Sequence, residues 1–354
     1  MEPFKVIAPT RADLAGGTLD LWPLFCLVDN AKTVNIALDL PAIAKFSVEK
    51  HECFKVELKT HTGEAYFFEK VPEWEDIRKL GRGLQFPVAV ISRYLAEKKE
   101  LPSRLISIEI ETKVPIGSGL GGSSALCVAL ARGMARLFGD YVDQGWQWKM
   151  MEWVRDLEAA FLKIPTGTQD YLASLFGGLN CFSSSLGGIE RVGYPEGVFE
   201  ALSQRLLILY SGEVHQSGLS NWQIFKDAFE GDARTLKGLS EINRVATELD
   251  GELRAGSLNW KFIGKCMSEE WEVRRELFQV NTPRLEEIMT FVKDMDVLGC
   301  KVCGAAQGGS LVVLATPESR SRIVQECSRT GIQVLSAQGT RHGASILPIT
   351  AEKK

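Results

Sequence analysis

The feature that most constrains this chain is a glycine-rich run at residues 115–125, Pro-Ile-Gly-Ser-Gly-Leu-Gly-Gly-Ser-Ser-Ala. Four of the six positions 117–122 are glycine, so backbone N–H groups can approach an anion without obstruction by Cβ atoms. The preceding residues alternate like a half-buried strand, and the following ones have helical spacing. Ser123 or Ser124 is the expected N-cap and Gly139 the expected end of that helix. A helix N-terminus behind such a loop predicts a cradle for a polyphosphate.

Two common nucleotide-binding motifs fit the chain less well. The sequence contains no GxxxxGK[ST], so the loop is not a Walker motif. Gly117, Gly119 and Gly122 do form GxGxxG, which is typical of dinucleotide-binding domains. Those domains also require a second strand that ends in an acidic residue, and here the chain continues into a helix. A Rossmann dehydrogenase is therefore the weaker alternative.

Length and composition indicate a two-domain globular protein. The chain has 354 residues, which is more than one hydrophobic core usually organises. The glycine-rich, aperiodic segment 187–204 is the expected joint, giving predicted domains at 1–195 and 196–354. The net charge of −4 argues against nucleic acid as a partner. The sequence has neither a signal peptide nor a long apolar span, so we expect a cytoplasmic protein without membrane contact.

The order of predicted elements favours the α+β class. The first 70 residues read mainly as strands, and residues 151–163 have the spacing of a helix. Residues 299–315 predict strand, glycine turn and strand. A helix is expected to start at Thr316-Pro317 and to end at Gly331, before a closing strand. This last unit predicts a split βαβ arrangement.

Three segments together resemble the motifs of the GHMP kinases, a family that includes galactokinase, homoserine kinase, mevalonate kinase and phosphomevalonate kinase. Residues 115–125 resemble the second motif; residues 8–11 with Gly16, Gly17 and Asp20 resemble the first; residues 303–310 resemble the third. The resemblance implies an N-terminal two-layer α/β domain like ribosomal S5 domain 2, a ferredoxin-like C-terminal domain, and ATP with Mg²⁺ in a site between them. It assigns nucleotide binding to Pro115, Gly117, Ser118, Gly119, Leu120, Gly121, Gly122, Ser123 and Ser124.

The resemblance also implies the catalytic and metal-binding residues. Asp170 would orient or deprotonate the acceptor hydroxyl, and Arg11 would keep it ionised. The alternative for Asp170 is a helix N-cap. Glu158 and Ser124 would bind Mg²⁺ through hard oxygen ligands. The alternative for Glu158 is a solvated helix carboxylate, with Glu152 and Asp156 as competing ligands.

Acceptor contacts are implied at Gly17, Asp20, Ser217, Gly218, Asn221 and Gly308. The alternative for Asp20 is a turn or capping aspartate. The alternative for the residues at 217–221 is that they only cap a helix. Gly16 to Asp20 lack the Glu-His pair typical of galactokinase, which makes galactose itself a poorer candidate. His215 and Arg341 receive no role.

These residues predict direct, in-line transfer of the ATP γ-phosphoryl group to a hydroxyl of a sugar or sugar phosphate, by a monomer or homodimer. One alternative is a mevalonate-type kinase, which would need a cation beside Asp20, where the sequence shows none. Another is a sensor that binds nucleotide and sugar without turnover.

Overall fold

The computed structural model describes residues 1–213, 219–278, 282–304 and 309–349. Within these ranges the helices are α1 (Trp74–Ile77), α2 (Arg82–Ala96), α3 (Gly122–Phe138), α4 (Gln144–Leu162), α5 (Gln169–Phe176), α6 (Val198–Ser203), α7 (Leu219–Phe229), α8 (Ala233–Ala255), α9 (Trp260–Phe278), α10 (Pro283–Lys293) and α11 (Pro317–Thr330). The strands are β1 (Phe4–Ala15), β2 (Ala31–Lys50), β3 (Lys55–Thr60), β4 (Ala65–Phe68), β5 (Arg104–Thr112), β6 (Leu179–Ser185), β7 (Gly188–Val192), β8 (Leu206–Tyr210), β9 (Gly299–Val302), β10 (Ser310–Leu314), β11 (Gln333–Leu335) and β12 (Ser345–Pro348).

A large mixed sheet forms the first layer, in the order β12-β1-β2-β5-β3-β4, with β6 and β7 branching from β2. The long strand β2 makes this branching possible, because residues 31–36 pair with β6 and residues 42–50 pair with β5. Helices α3 and α5 pack on β1 and β2. The core beneath α3 is tight: a Cβ at Gly133 would lie 2.1 Å from the Phe46 ring, so that position requires glycine.

A second sheet is fully antiparallel, with the order β11-β8-β10-β9. Taking its strands in chain order as 1 to 4, this is 4-1-3-2, the ferredoxin-like order with helices inserted in the connections. The prediction of an α+β fold with a ferredoxin-like C-terminal unit is confirmed. Helices α8 and α9 also contact β1, so the two sheets share a helical layer.

The last strand of the described chain returns to the first sheet. Strand β12 pairs antiparallel with β1, with Phe4 opposite Pro348. The predicted domain division at 195/196 stays a prediction. Strand β12, which follows this division in sequence, joins the sheet formed by residues that precede it. The sequence of such a short strand does not show which strand it will pair with. Its partner is the edge strand β1, whose outer backbone groups accept and donate the hydrogen bonds.

Helix ends were predicted with mixed success. Gly139 and Gly331 end α3 and α11 in left-handed conformations, and Thr316 caps α11, as expected. The N-cap prediction for α3 is wrong: Gly121, at φ 76°, holds that position. A left-handed turn, available to glycine, lets the helix begin directly at the loop. Helix α4 starts seven residues earlier than predicted, where the Asp143 side chain accepts a hydrogen bond from the Trp146 amide.

Among the described residues, none of the helices combines the length and apolarity needed to cross a membrane.

Candidate active site

One cavity of about 580 Å³ lies between the large sheet and the C-terminal helices. Both parts of the chain contribute to its wall, from the glycine-rich loop on one side to α7 and α9 on the other. The residues predicted from the sequence that line it are Arg11, Gly17, Asp20, Pro115, Gly117, Ser118, Gly119, Gly121, Gly122, Ser123, Ser124, Glu158, Asp170 and Asn221.

Of the predicted residues that the structure describes, Leu120 is not in this wall. The Leu120 side chain is fully buried in the core, and the Leu120 carbonyl accepts a hydrogen bond from the Arg11 amide at 3.0 Å. Both contacts anchor the loop. Ser217, Gly218 and Gly308 lie outside the described residues, and their roles stay predictions. Arg341 pairs with Glu200 away from the cavity.

The glycine-rich loop connects β5 to α3 through three left-handed glycines. Gly117, Gly119 and Gly121 have φ values of 70°, 74° and 76°, a region that disfavours other residues. Gly119 also lies against the C-terminal part of the chain, because a Cβ there would come within 2.7 Å of the Cys303 carbonyl oxygen. The loop therefore opens the N-terminus of α3 toward the cavity, where its amides and dipole suit a polyphosphate.

Asp170 and Arg11 form the central ion pair of the cavity. The Arg11 Nε donates to Asp170 Oδ1 at 2.7 Å, while Nη1 donates to the Gly119 carbonyl at 2.6 Å. Burial by itself lowers the pKa of Arg11, but the Asp170 charge outweighs it and raises that pKa above its usual value. A Cβ at Gly121 would lie 3.1 Å from Asp170 Oδ2, so the carboxylate rests on the loop.

The alternative role of Asp170 as an N-cap is wrong, because Thr168 occupies the N-cap of α5 and Asp170 lies in the first turn. Instead, the carboxylate of Asp20 accepts hydrogen bonds from backbone amides at the start of this helix. Asp20 Oδ2 accepts from the Thr168 amide at 2.7 Å and the Gln169 amide at 3.0 Å. The predicted alternative for Asp20, a capping role, is therefore found, and Asp20 lines the cavity as well. Its contacts hold the loop before Asp170 in place.

Glu158 and Ser124 face the same cavity and share a neighbour that the sequence did not reveal. The Tyr171 hydroxyl, fully buried on α5, donates to Glu158 Oε2, and Ser124 lies near enough to influence the pKa of that hydroxyl. Burial raises the pKa of Glu158 to about 7, and the nearby Asp170 charge adds to the effect. Glu152 and Asp156, the competitors on α4, are exposed and do not line the cavity.

These residues fit a magnesium ion. Glu158 is a carboxylate whose ionisation is disfavoured by its surroundings, and a cation would offset that cost. No cluster of three or more His, Cys, Asp or Glu side chains among the described residues could hold a metal by itself. Glu158 and Ser124 would therefore hold it together with phosphate oxygens, as is common for Mg²⁺.

A buried set of four charges, missed at the sequence level, joins β1 to the C-terminal sheet. Lys301 Nζ lies 2.6 Å from Asp13 Oδ2 and 2.8 Å from Glu270 Oε2. Arg274 lies beside the same two carboxylates. Burial raises the pKa of Asp13, but the Lys301 and Arg11 charges outweigh it, so the pKa falls below the usual value. The available signal was a lysine within the short, otherwise uncharged strand β9.

Arg274 lines the cavity together with Asp20. The expectation that no cation lies beside Asp20 stays a prediction, while tertiary folding brings Arg274 into the wall of the same cavity from 254 positions further along the chain. Asn221, on α7, completes this side, with its Oδ1 3.5 Å from the Thr18 hydroxyl.

The fold and cavity define a class: an α+β protein in which a glycine-rich anion loop and a carboxylate–arginine pair share one cleft. Residues 86–178 match the family model for the GHMP kinases N terminal domain. The chain is 24% identical over 339 residues to the L-fucokinase/L-fucose-1-P guanylyltransferase of Bacteroides fragilis, covering 89% of this chain but only 35% of that relative.

Two further matches extend over whole chains. The D-glycero-alpha-D-manno-heptose 7-phosphate kinase of Campylobacter jejuni is 21% identical, with 97% of this chain and 98% of the relative covered. The crystal structure of Lactococcus lactis galactokinase complexed with galactose superimposes with a TM-score of 0.76 at 14% identity, covering 97% and 95% of the two chains. Residues 86–178 therefore match the N-terminal domain of the GHMP kinases, and the whole chain is similar in sequence to a sugar phosphate kinase.

Proposed function

We propose that this protein transfers the γ-phosphoryl group of ATP to a hydroxyl of a sugar or sugar phosphate. The observation that carries the proposal is the position of Asp170, whose carboxylate rests on Gly121 of the anion loop and is held by Arg11. A phosphate bound by the loop amides would end beside this carboxylate. The names of the fucokinase, galactokinase and heptose phosphate kinase relatives support a sugar-like acceptor.

In the proposed reaction, the loop amides and the N-terminus of α3 hold the phosphates. Asp170 orients the acceptor hydroxyl and accepts its proton as the new O–P bond forms, while the bond from the γ-phosphorus to the bridging oxygen breaks and ADP leaves. Arg11 donates to Asp170 and, through its second hydrogen bond to the Gly119 carbonyl, fixes the direction of that carboxylate. Glu158 and Ser124 would hold a magnesium ion, which would supply positive charge to the phosphates. No covalent enzyme intermediate is needed, since transfer is direct and in line.

The decisive experiment compares the wild-type protein with Asp170→Asn. ADP release from Mg·ATP is measured against a panel of aldoses, heptose phosphates, mevalonate and homoserine. The variant should bind ATP normally and lose turnover by about 100-fold or more, since it lacks the base. Equal turnover in both proteins would remove Asp170 from this role.

The same panel separates the alternatives. ATP binding without ADP release on any acceptor would support the sensor and contradict the proposed activity. Release of ADP with mevalonate alone would favour the mevalonate-type kinase, for which Arg274 offers a cation in the wall of the same cavity.

A further inference from the structure

The acceptor side of the cavity carries a cation from the C-terminal sheet region. We define this acceptor half as the wall formed by Gly17, Asp20, Asn221, Arg274 and Gly304. It contains three of the residues predicted to contact the acceptor, Gly17, Asp20 and Asn221. Of its described members, only Arg274 has a cationic side chain.

Arg274 is held rigidly but keeps hydrogen-bonding capacity. Its side chain is 2% exposed, and Nη2 donates to the Gly304 carbonyl at 2.7 Å. Nη1 lies 3.7 Å from Glu270 Oε1 and 4.0 Å from Asp13 Oδ2, within ion-pair range but beyond a hydrogen bond. A buried guanidinium whose donors are incompletely used favours a further oxygen acceptor at close range.

Gly17 gives Arg274 access to the cavity. A Cβ at Gly17 would lie 2.2 Å from Arg274 Nη1, so any side chain there would displace the guanidinium. Because glycine stands at this position, Nη1 packs directly against the backbone of the acceptor half. This contact explains why the sequence needs glycine at position 17, which the motif resemblance alone had assigned to the substrate.

The charges around Arg274 are balanced. Lys301 and Arg274 together match Asp13 and Glu270, two cations against two carboxylates. Arg11, which lines the cavity outside the acceptor half, forms an ion pair with Asp170. Among the described residues of the acceptor half, no cation is therefore left unmatched for a phosphate dianion. A neutral hydroxyl oxygen can accept from Arg274 without this mismatch.

We propose that Arg274 is an acceptor-binding residue whose guanidinium donates to a sugar hydroxyl oxygen other than the attacking one, and that the acceptor is a sugar without a phosphate. This inference rests on the proposed function and narrows its substrate class. Specificity for the acceptor would then depend on Arg274 of α9, whereas the proposed base, Asp170, lies on α5.

The test compares free aldoses with the phosphates of the same sugars as acceptors. Arg274→Gln is compared with Arg275→Gln, since Arg275 is the next residue of α9 and pairs at the surface with Glu272 and Glu286. The wild-type protein should prefer the free sugar. Arg274→Gln should raise the acceptor KM by about 10-fold or more with an unchanged ATP KM, and Arg275→Gln should change neither.

A second variant guards against misfolding. Arg274→Lys keeps the charge of the buried set but loses the forked donors, so it should unfold near the wild-type temperature and still bind the sugar weakly. Preference for the phosphorylated sugar, or an unchanged acceptor KM in both Arg274 variants, would overturn the inference.

Calorimetric titration with acceptors in the absence of ATP separates the inference from the proposed activity. Free-sugar binding that weakens in the Arg274 variants supports the inference even if no ADP is released. Absence of binding by every free sugar would overturn it, while turnover on a phosphorylated acceptor would leave the proposed kinase activity standing.

Discussion

The Tyr171 hydroxyl lies between the two predicted metal ligands, Glu158 and Ser124. A donor in this position fixes the direction of the carboxylate and takes up one of its oxygens. Groups that orient metal ligands influence metal affinity although they do not touch the ion. The sequence could not show this, because Tyr171 and Glu158 lie on different helices and meet only through the packing of α4 on α5.

Tyr171→Phe tests the role of this hydroxyl. We expect the Mg²⁺ concentration for half-maximal ADP release to rise by about 10-fold, because Glu158 loses its donor. Binding of Mn²⁺ in the presence of ATP, followed by electron paramagnetic resonance, should weaken similarly.

The matched control is Tyr94→Phe, which removes a hydroxyl that donates to Asp140 away from the cavity. Its metal dependence should remain that of the wild type. Equal metal affinity in Tyr171→Phe and the wild type would contradict the positioning role.

At the scale of elements, the sequence predicted that the glycine-rich loop leads into α3, but it did not predict which residue caps that helix. Glycine spacing and flanking periodicity were sufficient to predict strand, loop and helix. The exact N-cap was not predictable, because serine preference competes with the left-handed turn at Gly121. That turn is fixed by Asp170, a residue 49 positions away that packs on it.

Gly121→Ala should therefore impair function more than stability. An added Cβ meets Asp170 at 3.1 Å and occupies a left-handed conformation, so we expect turnover to fall by about 10-fold or more. Gly139→Ala is the control: Gly139 is also left-handed, at φ 71°, but no atom lies within 4 Å of its Cβ position.

Both variants should lose about 1 kcal/mol of unfolding free energy from the backbone strain. Only Gly121→Ala should lose turnover, measured as ADP release. A parallel fall in both variants would show that strain at the helix ends, and not the Asp170 contact, causes the loss.

At the scale of the whole molecule, the buried charges of Asp13, Glu270, Lys301 and Arg274 tie β1 to the C-terminal sheet. The Asp13 Oδ1 also accepts from the Gly304 amide at 3.3 Å, which joins the third motif to the first. Breaking a buried ion pair leaves an uncompensated charge, so the relative position of the two sheets depends on ionisation of Asp13.

This network predicts a loss of stability in acid. Because the pKa of Asp13 is held below its usual value in the folded protein, the unfolded chain takes up a proton first as the pH falls. The contribution of Asp13 should be complete above about pH 4, the usual value for Asp, and decline as the pH falls further.

Urea unfolding measured between about pH 7 and pH 3 would show this effect against Asp13→Asn. The variant should be less stable at neutral pH and should lose less stability on acidification. The same pH slope in both proteins would contradict the pKa direction assigned to Asp13.

The sequence by itself determined the α+β class and the glycine-rich loop, since local glycine content and periodicity carry that information. The pairing of Asp170 with Arg11 followed only from the resemblance of the motifs to those of a known family. Only the tertiary structure decided that β12 returns to β1, that Tyr171 donates to Glu158, and that Arg274 and Asp20 line one cavity. The physical reason is the same in each case. Strand edges, buried hydroxyls and buried charges are satisfied by partners distant in sequence, and only packing selects those partners.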